Sequence, residues 1–313
     1  LLPDLCMISA QHLVKWYGPV RAIDDLSFEI PEGEVVGFLG PNGAGKSTTI
    51  RMIVDIIHPD QGAVTFDGAG IAENIRSKIG YLPEERGLYQ KARILETIVH
   101  FGRLKGMDAT AATEQAMVWL ERFGLADSGM RQVEELSKGN QQKVQIIIAL
   151  LHDPEYVILD EPTSGLDPVN QGILRDIVVD LRTRGKAILY STHQMDLAER
   201  LCDRIALVDH GSLVLSGSVE EVRGGSRGDD IVLEFDGEGA FLASIPWVEQ
   251  SSIEGNRAEL HVAKGYGLPD LFAEIGDRLH LSRIERVRPS LNTIFLEAVG
   301  ATTSTTTSNT EAA

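Results

Sequence analysis

The nine residues Gly40-Pro41-Asn42-Gly43-Ala44-Gly45-Lys46-Ser47-Thr48 constrain this chain more than any other stretch. They satisfy G-x-x-x-x-G-K-[ST] and sit between a short apolar run, 35–39, and a helical pattern that begins at Lys46. That context is what the motif needs. Glycines let successive backbone N–H groups turn inward, and the following helix adds its positive N-terminal end, so a polyphosphate meets a prepared anion site. Lys46 is placed to reach the β- and γ-phosphates, and Ser47 to offer its hydroxyl to Mg²⁺. The motif by itself specifies a nucleotide phosphate and no more.

A second acidic element accompanies it. The run Tyr156-Val157-Ile158-Leu159-Asp160-Glu161 is an apolar strand ending in two acids, which puts carboxylates at the carboxyl edge of a sheet. Asp160 is expected to hold Mg²⁺, usually through water, and Glu161 to accept a proton from an attacking water. Further β-rich runs alternate with helical patterns: 187–190 before a helix from Met195, and 156–159 before a helix after Pro168. This alternation predicts a largely parallel α/β sheet. Between 94 and 151 no strand is evident, and Trp119, Leu120 and Phe123 fall at helical spacing, so a helical insertion with these residues in its core is expected.

The breaker-rich run Gly224-Gly225-Ser226-Arg227-Gly228 marks a domain boundary. Beyond it, 231–235, 259–262 and 282–287 read as strands and 268–279 as a helix, giving a small C-terminal α+β domain over 229–300. Residues 301–313 are mostly Thr, Ser and Ala and are expected to form a disordered tail. The 46 acidic against 29 basic residues, a net charge of −17, disfavour a nucleic-acid target or a polybasic lipid contact. No apolar stretch approaches the roughly 20 residues that span a bilayer, and the first ten residues do not read as a secretory signal. A soluble chain is expected, with Cys6 and Cys202 reduced and without a chemical role.

A third cluster separates this chain from kinases and GTPases. Leu136-Ser137-Lys138-Gly139-Asn140, followed by Gln141-Gln142-Lys143, resembles the LSGGQ signature of ABC ATPases. The resemblance covers roughly residues 8–223, and other elements follow in the family's order. Tyr17, in Lys15-Trp16-Tyr17-Gly18, matches the aromatic that stacks on adenine, with a core position expected for Trp16. Ser164-Gly165-Leu166-Asp167 looks like the D-loop, and His193 matches the switch histidine that touches the γ-phosphate. The resemblance implies a P-loop NTPase fold: a RecA-like core sheet with a helical signature subdomain. It further implies ATP and Mg²⁺ as ligands and hydrolysis of ATP to ADP and phosphate. By the same resemblance, two chains pair head to tail, so that Ser137, Lys138, Gly139 and Asn140 of one cover the ATP held by the other.

Two positions depart from the family pattern. Glu84, after Ile79-Gly80-Tyr81-Leu82-Pro83, stands where the family usually has Gln, and Lys138 stands where the signature normally has Gly. Glu84 could bind the metal more directly while adding negative charge beside a polyanion. Their opposite signs and the head-to-tail arrangement predict that the two changes offset one another. The run 81–89, the signature variant and the ending Pro289-Ser290-Leu291-Asn292-Thr293-Ile294-Phe295-Leu296 resemble ATPase subunits of bacterial ABC-2-type exporters of the sodium-extrusion and multidrug group. That narrower resemblance implies an integral-membrane permease as partner, a homodimer or pairing with a related ATPase, and a cytoplasmic position on the inner face of the cell membrane. An importer ATPase with a regulatory C-terminal domain, or a soluble ABC ATPase acting on a non-membrane macromolecule, are the competing readings.

Overall fold

The computed structural model describes residues 7–85, 87–224, 229–263, 265–287, 290–296 and 298. The chain divides into two compact units, Leu1–Gly217 and Ser218–Ala313. The expected tail, the Gly-rich 225–228 segment, Cys6 and Pro289 lie outside the described residues. The division falls one short helix earlier than the sequence suggested. Helix Val219–Gly224 starts at once beyond it, with Ser218 and Glu221 capping each other reciprocally.

Three strands of the first unit are buried along their whole length: Val35–Leu39, Tyr156–Asp160 and Ala187–Thr192. Continuous burial is what a parallel sheet covered on both faces demands, and it explains why these runs read as unbroken apolar segments. They form the centre of a six-stranded sheet in the order Ser212–Ser218, Arg204–Asp209, Val35–Leu39, Ala187–Thr192, Tyr156–Asp160, Ile79–Leu82. The register is parallel from Arg204–Asp209 through Ile79–Leu82, with Val35 beside Ile188 and Tyr156 beside Ala187. Helices Lys46–Ile53, Pro168–Thr183 and Met195–Leu201 follow three of the strands, as the alternation predicted.

A second sheet was not foreseen. Strands Val20–Pro31, Met7–Tyr17, Gln61–Phe66 and Ala69–Gly70 pair antiparallel in that order. Its alternation is interrupted by register shifts between Ala10 and Leu13, and by His12 and Asp25 at φ +50° and +51°. Such irregularities scramble the period-two pattern by which a strand is recognised. The sheet packs on the parallel one through Phe28 stacked on Phe38 at 5.0 Å and Phe66 edge-on to Tyr156 at 4.8 Å. Tyr156 keeps its buried ring satisfied by donating its hydroxyl to Asp67 Oδ2 at 2.6 Å.

The 94–151 insertion is helical, comprising Ile94–Leu104, Ala109–Arg122 and Lys138–Leu150 joined through short 3₁₀ turns. Leu120 and Phe123 are buried, whereas Trp119 is half-exposed, stacked on Phe123 and covered by the Arg122 guanidinium. Asp108 and Ser137 cap the second and third helices by accepting backbone N–H groups.

The second unit carries a four-stranded antiparallel sheet in the order Val248–Glu254, Arg257–Val262, Asp229–Asp236, His280–Val287. With a 3₁₀ segment at Gly239–Ser244 and a helix at Leu268–Ile275, the chain order is that of a split β-α-β-β-α-β unit. Ile231, Leu233, Phe235, Leu260 and Leu271 form its core. The expected helix over 268–279 stops at Ile275 because Gly276 turns the backbone to φ +51°. Strand Val248–Glu254 escaped the sequence pattern, since only Val248 and Ile253 along it are even partly buried.

Candidate active site

The loop from Gly40 to Lys46 lies at the carboxyl edge of the central strand and runs into helix Lys46–Ile53. Its glycines serve different ends. A Cβ at Gly40 would meet the Val208 carbonyl at 2.3 Å, and one at Gly45 the Ile23 side chain at 2.6 Å. Gly43 faces open space and is required only for its φ of +84°. Lys46 is buried and donates from Nζ to the carbonyls of Gly40 at 2.7 Å and Pro41 at 3.1 Å. Burial pushes its ammonium pKa down, and the nearby Glu161, Asp160 and Glu84 carboxylates oppose that shift.

Asp160 and Glu161 are both buried at the end of their strand. Burial raises the Asp160 pKa, the nearby Ser191 and Ser47 hydroxyls lower it, and the charges of Glu84 and Glu161 raise it further. Asp160 Oδ1 has no hydrogen-bond partner, an unmet need in a buried carboxylate. Glu161 adopts φ +47°, a left-handed conformation that costs a non-glycine residue about 1 kcal/mol or more. Its backbone N–H donates to Ser191 O at 3.1 Å, and its Oε1 lies 2.8 Å from His193 Nδ1. Ser47 Oγ approaches Glu84 Oε2 at 3.4 Å.

Residues 42, 43 and 45–48 of the loop, Glu84, Asp160 and Glu161 line a cavity of about 470 Å³; His193 is not among its lining residues and reaches the site through its contact with Glu161. Arg21 and His210 line it too, and neither was singled out in the sequence. The one signal for His210 was the Asp209-His210-Gly211 turn between two strands. Among the described residues no group of three or more His, Cys, Asp or Glu forms a metal cage. The orphaned Asp160 oxygen, the Ser47 hydroxyl and Glu84 fit an ion such as Mg²⁺, which takes phosphate oxygens and water as its remaining ligands.

Other sequence candidates stand apart from this cavity. Ser137, Lys138, Gly139 and Asn140 open helix Lys138–Leu150 and do not line it. Their helix is tied to the segment after Glu161: Gln142 Nε2 donates to Pro162 O at 3.1 Å, and a Cβ on Gly139 would meet Gly165 O at 2.6 Å. Asp167 caps the next helix, accepting from Asn170 N at 3.0 Å. Segments 164–167 and 137–140 are thus in direct contact. Tyr17 is 49% exposed and stands opposite Val20, a residue of the cavity wall. Trp16 is not in the core: it is 45% exposed, with the Arg21 guanidinium 5.6 Å above its ring, because both aromatics end an edge hairpin.

Comparison with known proteins agrees with this geometry. The ABC transporter family model matches residues 23–164, and a second model, the C-terminal domain of ATP-binding proteins like DrrA1-3, matches 217–299. The ABC transporter ATP-binding protein YhaQ of Bacillus subtilis is 40% identical over 94% of this chain and 99% of its own length. The linearmycin resistance ATP-binding protein LnrL of the same organism is 32% identical over 95% and 99%. Among solved structures, a dimeric ATP-binding cassette in a post-hydrolysis state with ADP and Pi superposes with TM-score 0.63 at 25% identity. That match covers 68% of this chain and 98% of the cassette. The chain belongs to the ATP-binding proteins of ABC transporters, P-loop ATPases that hydrolyse ATP. Among the described residues no helix is long and apolar enough to cross a membrane.

Proposed function

We propose that this protein is the ATPase subunit of an ABC-2-type exporter, working on the inner face of the cell membrane with a separate integral-membrane permease. The export assignment is supported by the C-terminal domain match and by relatives named for linearmycin resistance and, in Paraburkholderia xenovorans, Nod factor export. Residues 8–223 act as the nucleotide-binding domain and 229–300 as an accessory domain. One observation carries the mechanism. The cavity holds a phosphate loop, a lysine and three carboxylates, yet the signature residues of the same chain do not reach it.

The site is therefore complete only when a second chain, identical or related, supplies its Ser137–Asn140 segment. In that assembly the 40–48 loop grips the ATP phosphates through backbone N–H groups, and Lys46 turns from the Gly40 and Pro41 carbonyls to the β- and γ-oxygens. Tyr17 stacks on adenine. Mg²⁺, when bound near Ser47, Asp160 and Glu84, supplies positive charge to the phosphate oxygens. Glu161 takes a proton from the attacking water. His193 fixes the Glu161 carboxylate and senses the γ-phosphate, while Ser137 and Gly139 of the second chain stabilise the transferring phosphoryl group. Lys138 and Asn140 complete that covering segment, and Asp167 sets its position through the contact of Gly165 with Gly139. Closing and opening of the pair is the two-state element that can drive a permease.

The reading is tested by sedimentation of a Glu161→Gln variant with and without ATP. A shift from monomer to dimer that requires ATP, with turnover reduced by about 10²–10⁴, supports it. Normal hydrolysis by an isolated monomer would remove both the base and the two-chain site.

A further inference from the structure

We propose that His210 is a ribose-binding residue, whose Nε2 accepts a hydrogen bond from a sugar hydroxyl of the bound nucleotide. This rests on the reading that the cavity over the phosphate loop holds ATP. It adds a specificity contact at the nucleoside end.

The direction in which a nucleotide lies follows from the order of the strands. Strand Tyr156–Asp160 lies two places from Val35–Leu39 on one side, and Arg204–Asp209 is its immediate neighbour on the other. The phosphate loop thus runs between Asp160 and Glu161, where the reacting phosphate belongs, and the turn carrying His210. A nucleotide with its γ-phosphate near Glu161 extends its sugar and base toward the wall made by Val20, Arg21, Ala22 and His210. Tyr17, opposite Val20, lies at the same end.

The turn is rigidly held. Gly211 N–H donates to Ala44 O and Gly211 O accepts from Asp24 N–H, both at 2.9 Å. A Cβ at Gly211 would meet Ala22 O at 2.4 Å, so the turn is wedged against the cavity wall. His210 and Gly211 have φ +45° and +80°, the signs of a type I′ turn, whose first central position favours Asn, Asp or Gly. Histidine, like Asn and Asp, adopts this conformation more readily than most side chains, so the turn can present a ring at the cavity wall.

The chemistry of the ring selects the ligand group. Nδ1 is 2.8 Å from Asp209 Oδ2, and that carboxylate is only 13% exposed while the His210 side chain is 93% exposed. A carboxylate only accepts, so Nδ1 donates to it, and in the tautomer with its single proton there Nε2 is the free acceptor. A bare nitrogen meets a donor. The sugar hydroxyls are donors, whereas ionised phosphate oxygens only accept.

The full-length chain, held in EDTA to suppress turnover, is titrated calorimetrically with ATP, 2′-deoxy-ATP and 3′-deoxy-ATP. The same titrations are run on His210→Gly, which suits the turn, and His210→Asn, which tolerates it. The parent is expected to bind at least one deoxy analogue about threefold to tenfold more weakly than ATP, the worth of one hydrogen bond. In both variants that ratio should fall to about one. Equal affinity of the parent for all three nucleotides, or a ratio that survives in the variants, would overturn the ribose contact while leaving the ATP site intact. A parent chain that bound no ATP either in EDTA or with Mg²⁺ restored would instead refute the nucleotide reading on which the contact rests.

Discussion

Substituting Gly139 by alanine sets two effects of opposite sign against each other. In an exposed helix the change is favourable by up to about 1 kcal/mol, and by less in the first turn where Gly139 lies. Against this, the new Cβ would stand 2.6 Å from the Gly165 carbonyl oxygen. Ordinary contact needs about 3.4 Å, so two backbone segments must separate by about 0.8 Å, an overpacking that costs about 2–3 kcal/mol. The net loss is about 2 kcal/mol, which for a unit of this size lowers Tm by about 4–8 °C. Lys138→Ala, one residue earlier and exposed, is the control and should move Tm by no more than about 2 °C. Differential scanning calorimetry reads both, and an ATPase assay should show the Gly139 variant losing turnover as the 137–140 segment is pushed off the 164–167 loop. A Gly139→Ala variant melting at or above the parent would refute the contact and the coupling drawn from it.

Glu84 and Lys138 should behave as a pair across two chains: in a double-mutant cycle on ATP hydrolysis with Glu84→Gln and Lys138→Gly, the double variant is expected to depart from the product of the single effects by more than about twofold. Strictly multiplicative effects would show that the two departures are independent. His152 is held neutral chiefly by burial and then by the Lys105 charge, which bring its pKa down to about 4 from an ordinary 6.5. The unfolded chain then takes up the proton first, so this contribution to stability is complete above pH 6.5 and is lost as pH falls toward 4. Urea unfolding across that window should show a weaker pH dependence for His152→Asn than for the parent, and an unchanged slope would contradict the assignment.

Much of the parallel sheet was legible because its strands are buried on both faces and its helices begin at distinct signals. Lys46 follows a glycine in the left-handed region, and Pro168 sits in a first turn capped by Asp167. The phosphate loop and the Asp160-Glu161 pair were readable because their chemistry depends on residues adjacent in sequence. The antiparallel sheet was not, since bulges at His12 and Asp25 break the alternation that would reveal it. Nor were Arg21 and His210, which reach the cavity only because Val20–Pro31 and the turn at Gly211 are hydrogen-bonded to one another and to the loop. Gly139 was legible as part of a signature, but the reason it must be glycine lies 26 residues away at Gly165.

An exporter ATPase with a membrane partner is tested by capturing a tagged Glu161→Gln variant from gently solubilised membranes in ATP and Mg²⁺ and identifying what co-purifies by mass spectrometry. A multi-span permease without an ATPase domain of its own is expected, recovered in an ATP-stabilised complex. Recovery of ribosomes or DNA-bound proteins, or of no membrane protein at all, would contradict it.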